Sequence, residues 1–262
     1  MTINLTTAPN MFFPQVLAVD NGDPVNPIGT HALSRRKRGV VDPRTVWPQF
    51  STIRISMRDM TQEQKQFTKD NINKWAPHVN LKFEFTEQQD GDIRIKGNNN
   101  LKGGSSYLGT EKPVDVDKPT MEIGFLGGLD KFNAGTVIHE FGHALGFDHE
   151  HQHPSQKLDI NWKAIRQDTQ NGKIDASFEE NYLPLTKDVA FTPYDQKSVM
   201  HYSFPKEYLN SGEGIEDNNE LSEGDKETAR LFYPKPLPEP SVHCLLSAIP
   251  FSQSIRAILG LG

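Results

Sequence analysis

Three histidines and one glutamate stand at spacings that can do chemistry. His139 and His143 lie four residues apart with Glu140 between them, and Gly146 and His149 follow at intervals of three. On a helix, residues four apart share one face, so the two imidazoles can share one ion. Three protein ligands leave a fourth position open, which is the arrangement of a catalytic zinc rather than a structural one. Zinc held in this way lowers the pKa of its water toward about 7. Glu140 is the group expected to take that proton and later deliver it to a leaving amine. Gly146 fits the end of the helix, where a left-handed turn disfavours a β-carbon, and the turn would bring His149 back to the ion.

The full spacing His-Glu-x-x-His-x-x-Gly-x-x-His is that of the metzincin zinc peptidases. A bare His-Glu-x-x-His arises often by chance; Gly146 and His149 in register make ordinary core or surface histidines a poor account. His151 and His153 fit no ligand spacing and read as surface residues. Downstream, Ser198-Val199-Met200-His201-Tyr202 stands where metzincins place a methionine turn, so Met200 is expected as the apolar floor under the three imidazoles.

The elements that must position these groups are legible in outline. Ile53 and Ile55, then Leu81, Phe83 and Phe85, then Ile93 and Ile95 alternate with polar residues and predict strands. Thr61 is an N-cap for a helix over residues 61–75, with Phe67, Ile72 and Trp75 facing inward. Residues 102–109 are glycine-rich and turn-like, and residues 120–125 form another short strand. A long helix is expected over residues 133–147, apolar at Val137, Phe141, Ala144 and Leu145, and it carries the metal motif. The second half is poor in strand signals, with one helix over residues 223–232. This order predicts an α+β domain with a mixed, twisted sheet.

Outside the domain lie two appendages. Residues 1–38 are rich in Pro, Asn and Gly and end in Arg35-Arg36-Lys37-Arg38; residues 234–262 are a proline linker and a small apolar tail around Cys244. The domain proper is 39–233. With Cys244 as the single cysteine, an intrachain disulfide or a cysteine zinc site is ruled out, so any metal sits on His, Asp, Glu or Tyr. The net charge of −6 offers no electrostatic case for nucleic acid. No apolar run approaches the roughly 20 residues of a membrane span, and no standard secretory signal opens the chain.

With these residues in place, the chain resembles the astacin family of metzincins over roughly residues 41–233. The likeness includes Val46-Trp47-Pro48, Gly104-Ser105-Ser106-Tyr107-Leu108-Gly109, Gly135-Thr136, His149-Glu150 and Pro193-Tyr194-Asp195. Leu221-Ser222 with Asp225, and Leu231-Phe232-Tyr233, complete it. The resemblance implies a two-lobed domain with the cleft between lobes, a Zn2+ cofactor, and cleavage of internal peptide bonds by a monomer. It implies Tyr202 as a further phenolic zinc ligand that swings to the oxyanion. It also implies residues 120–125 as the edge strand on which an extended protein or peptide substrate pairs. Without paired cysteines, and with Gln152-His153-Pro154-Ser155 after the motif, the chain looks like a disulfide-free microbial branch. An extracellular site of action is favoured.

Astacin-like enzymes are commonly made with a propeptide whose aspartate, in a Phe-x-Gly-Asp pattern, occupies the zinc. Here Asn21-Gly22-Asp23 keeps Gly-Asp, with Asp20 at the Phe position, so Asp23 is the candidate latency switch; an ordinary Asn-Gly-Asp-Pro turn is the other reading. Arg35-Arg36-Lys37-Arg38 is then a candidate processing site, against a solvated charge run or a nuclear-targeting patch. The family also suggests Glu150 as partner of a new amine at Gly39. Two rival functions stay open: a matrixin-like or other zinc hydrolase, and a catalytically silent binding or toxin module on the same fold. His149-Glu150 and Met200-His201-Tyr202 speak against the first, the intact Glu140 against the second.

Overall fold

Alternating side chains build the sheet: Ile53, Ile55, Met57, Ile93 and Ile95 are all buried, and the residues between them turn to the other face. The computed structural model describes residues 15–16, 40–41, 43–115, 117–172, 182–185 and 190–236, with the backbone alone at 15–16 and 190–191. In chain order the strands are β1 (Gln15–Val16), β2 (Val40–Val41), β3 (Thr52–Arg58), β4 (Lys82–Thr86), β5 (Ile93–Asn98), β6 (Gly104–Ser106), β7 (Met121–Gly124) and β8 (Ala190–Phe191). The main sheet runs β1-β6-β7-β5-β3-β4, and β2 pairs with β8 in a separate ribbon. Strands β4, β3, β5 and β7 are parallel, whereas β6 is antiparallel to β7. The register sets Ile55 beside Ile93 and Met57 beside Ile95, so one apolar face is continuous.

The strand in residues 120–125 is not an edge: β7 has β5 on one side and β6 on the other. The strand between it and the cleft is β6, from the glycine-rich stretch expected to be turn. Gly104 and its serines carry no apolar alternation, and pairing with neighbouring strands makes the segment a strand. The first 38 residues, expected to be loop, contribute β1, which pairs in parallel with β6 through Gln15–Ser105 and Val16–Ser106.

Helix α1 (Gln62–Ile72) starts at the expected cap, where Thr61 and Gln64 form a capping box. Helix α2 (Lys131–Ala144) starts two residues earlier than its apolar periodicity indicates, because Asp130 accepts from the Asn133 amide and caps it there. Helix α3 (Trp162–Gln170) is not among the predicted elements; its apolar side is short, with Ile165 buried and Trp162 and Ala164 half-buried against the second core. Helix α4 (Glu223–Phe232) lies where predicted and is capped by Ser222 and Asp225.

The sheet, α1 and α2 enclose one core around Trp75, Phe141, Ile138 and Met200. Trp75 donates from its indole nitrogen to the Ile138 carbonyl at 3.0 Å, tying the residues after α1 to the metal helix. A second core gathers Ile160, Ile165, Tyr182, Tyr202, Phe204, Tyr208 and Leu209. The architecture is the expected α+β domain in two lobes. No helix among the described residues is long and apolar enough to cross a membrane.

Candidate active site

Helix α2 carries the first two histidines through the middle of the molecule, and from Gly135 to Ala144 every residue is buried. After Ala144 the chain must reverse tightly. Gly146 does so with φ at +95°, while its amide and that of Phe147 bond back to His143 and Gly142. His149 thereby returns to the helix. The Nε2 atom of His143 lies 3.1 Å from Nε2 of His139 and 3.0 Å from Nε2 of His149. Three nitrogens about 2.1 Å from one tetrahedral ion stand roughly 3.4 Å apart, and the three here all lie within 4.8 Å of one another. They form the one such group among the described residues.

The other ring nitrogens decide which lone pairs face the ion. Nδ1 of His139 donates to the Val199 carbonyl at 2.7 Å, and Nδ1 of His143 to the Phe147 carbonyl at 2.7 Å. Each bond leaves Nε2 unprotonated. Burial pushes His139 down to about 4 and the other two rings well below the usual histidine value, so all three are neutral near pH 7. Glu140 is fully buried beside them, and neither of its carboxylate oxygens has a hydrogen-bond partner. Burial raises its pKa well above the carboxylate range. A carboxyl with two unmet acceptors next to three convergent lone pairs suits a bound cation and a polarised water.

The sheet and the methionine turn clamp this helix from opposite sides. A β-carbon on Gly104 of β6 would sit 2.7 Å from Cγ of Glu140, and one on Gly142 would sit 2.4 Å from Sδ of Met200. Met200 is thus packed directly against the metal helix. Its turn is fastened by Asp225, which accepts from Ser198 Oγ at 2.6 Å, Val199 N at 2.9 Å and Ser222 N at 2.8 Å. Tyr202 follows, buried, with its ring centroid 4.3 Å from His149 and 6.0 Å from His139.

Glu150 is buried on the far side of His149. Its Oε1 accepts from Asp195 N at 2.8 Å, and burial, with the charges of Asp225 and Asp195, raises its pKa to about 9. It borders a small void with Val40, Ser198 and Asp225. Gly39, Asp23, Arg35 to Arg38 and Cys244 lie outside the described residues.

His151 and His153, expected at the surface, are both fully buried. The turn at Gly146 carries this stretch beneath the second lobe. There His151 stacks on Tyr202 with centroids 4.1 Å apart, and His153 donates from Nε2 to the Thr192 carbonyl while its Nδ1 accepts from Ser155 N. His201 is a supporting group that the sequence pattern does not single out: its Nδ1 donates to the Tyr202 carbonyl at 2.6 Å and its Nε2 accepts from the Tyr194 hydroxyl at 2.7 Å. His151 lies within a 3-10 turn over Glu150–Gln152 and His153 ends it, and no apolar periodicity marks their burial in the sequence.

The family model of Astacin, a peptidase family, matches residues 39–216. The chain belongs to the astacin family. It is thereby placed among the zinc metalloendopeptidases, and its single cysteine is consistent with a branch without disulfides. The solved structure of myroilysin superposes with a TM-score of 0.69 at 30% identity, covering 76% of this astacin-family chain and 100% of that one. A hatching-enzyme zinc protease of Oryzias latipes, high choriolytic enzyme 1, shares the fold, with a TM-score of 0.53 at 20% identity over 73% of this chain and 95% of that one. Among curated proteins, Nematocyst expressed protein 6 of Nematostella vectensis is 24% identical over 213 residues, 78% of this chain and 70% of that protein. Bone morphogenetic protein 1 of Xenopus laevis is 28% identical over 215 residues, 74% of this chain; the chain spans only 28% of that protein's length.

Proposed function

We propose that the chain hydrolyses internal peptide bonds, holding zinc on His139, His143 and His149 and using Glu140 as the base. The observation that carries this is the convergence of three Nε2 atoms beside a buried carboxyl with no partner. When bound, zinc acidifies a water and polarises the scissile carbonyl. Glu140, a buried carboxyl with no hydrogen-bond partner, takes the proton of the attacking water and passes it to the leaving nitrogen. The Tyr202 hydroxyl serves as a further ligand at rest and as a donor to the oxyanion during attack. Met200 keeps the triad on an apolar floor.

An extended substrate pairs with β6, the strand nearest Glu140. Strand β1 of the N-terminal segment occupies that edge in this chain, which supports reading residues 1–38 as a latency segment. Asp23 is proposed as its zinc-blocking carboxylate and Arg35 to Arg38 as the cutting site. After cutting, the new amine at Gly39 meets Glu150 and orders the catalytic domain 39–233. The enzyme works as a monomer, outside the cell, on proteins rather than nucleic acids. Glu140→Ala should retain one zinc and lose casein cleavage; retained cleavage would refute Glu140 as base, and a zinc-loaded wild type that cuts nothing, even from Gly39, would favour a silent binding module. Full-length and Gly39-start proteins of equal activity would overturn the latency reading.

A further inference from the structure

A cavity of about 410 Å³ opens beside His139 and Glu140, and its lining is not neutral. Its apolar lining is Phe132, Val199, Phe204, Pro205 and Ile215, and the exposed charged residues on it are Glu207, Glu216 and Asp217 against one cation, Lys206. Lys102, outside the lining, lies over the ring of Phe132 at 4.7 Å. The acidic pair is held from both ends. Phe204 and Ile215 exchange two backbone hydrogen bonds of 2.8 Å on one side of it. On the other, Asn218 donates to the carbonyls of Gln196 and Ser198 at 2.8 and 3.0 Å. Asn219 packs so tightly on α2 that a β-carbon at Gly135 would lie 2.2 Å from its Oδ1. Glu216 and Asp217 therefore stand on a braced segment over the same cavity into which buried, unpartnered Glu140 faces.

We propose that this cavity receives a cationic side chain, lysine or arginine, from the substrate residue next to the scissile bond. The inference rests on the zinc-endopeptidase reading above. The aliphatic stem of such a residue covers Phe204 and Ile215 while its charged head reaches Glu216, Asp217 and Glu207. A carboxylate there meets three like charges and one ammonium, and the mismatch selects against it more than the match rewards lysine.

The test uses the full chain, treated with a basic-specific protease if it is latent, loaded with zinc. Peptides differing only in Lys, Arg, Ala or Glu at each position flanking the cut are compared by kcat/KM. Binding of the same peptides to zinc-loaded Glu140→Gln protein is read by fluorescence anisotropy. Lys or Arg should exceed Glu at one flanking position by about tenfold or more, with Ala between, and added salt should shrink the ratio. In E216Q/D217N, both exposed positions, the ratio should fall severalfold with zinc content unchanged. Preference for Glu or for Ala at both flanking positions, or a ratio untouched by E216Q/D217N, would overturn the proposal. A protein that binds Lys peptides selectively but cuts none supports the cavity and sinks the peptidase reading; one that cuts without charge preference does the reverse.

Discussion

Asp225→Ala is expected to loosen the zinc site from a helix that never touches the metal. Asp225 is buried and accepts from Ser198 Oγ, Val199 N and Ser222 N. The alanine leaves two buried donors in the methionine turn unsatisfied, at about 1–3 kcal/mol each, and weakens the cap of α4 by about 1 kcal/mol. Because these losses share one network they do not add fully, and a net loss of about 3–5 kcal/mol is expected. Val199 is also the residue whose carbonyl orients His139, so zinc should bind about 10–100-fold more weakly. Urea unfolding of the metal-free protein reads the first quantity and chelator competition the second. A loss under about 1 kcal/mol would refute the network's weight. A large loss with unchanged zinc affinity would refute the link from Asp225 through Val199 to His139. Burial raises the Asp225 pKa from 3.8 to about 6, so its proton-linked stabilisation is complete below 3.8 and is lost as pH rises to 6. The non-titrating Asp225→Asn should lack that slope.

Three further outcomes follow from other contacts. Gly142→Ala gains about 1 kcal/mol of helix propensity, but its β-carbon meets Met200 Sδ and Trp75, so a net loss of about 1–2 kcal/mol in urea is expected, smaller when Met200→Ala is added. Glu150→Gln should not destabilise the full chain at pH 7, because Glu150 titrates near 9 there; wild type should lose stability relative to it as pH rises from 4.5 to 9. In a Gly39-start protein the new amine would keep Glu150 ionised, and the same substitution should then cost about 3–5 kcal/mol by thermal or urea unfolding. Tyr202→Phe should keep its zinc and lose about 10–100-fold in kcat, with a smaller change in KM, on a fixed peptide.

Much of this molecule is readable from local pattern. His139, Glu140 and His143 declare themselves because a helix converts a spacing of four into a shared face, and Gly146 because a left-handed turn has one cheap occupant. Ile53, Ile55, Ile93 and Ile95 do the same for a sheet through a period of two. The caps at Thr61 and Ser222 are legible as short-range chemistry.

What the sequence by itself determined is therefore the convergence of the three histidines, their neighbouring carboxyl and the elements that carry them, since each follows from contacts a few residues apart. Tertiary structure alone decided the rest. It made a strand of Gly104–Ser106 by pairing it with β7 and β1, buried His151 and His153 beneath the second lobe, and set Asp225 under Val199. It also braced Glu216 and Asp217 over the cavity beside Glu140. Those relations join residues far apart along the chain, and local periodicity holds no record of which distant backbone will satisfy a buried donor or cover a buried ring.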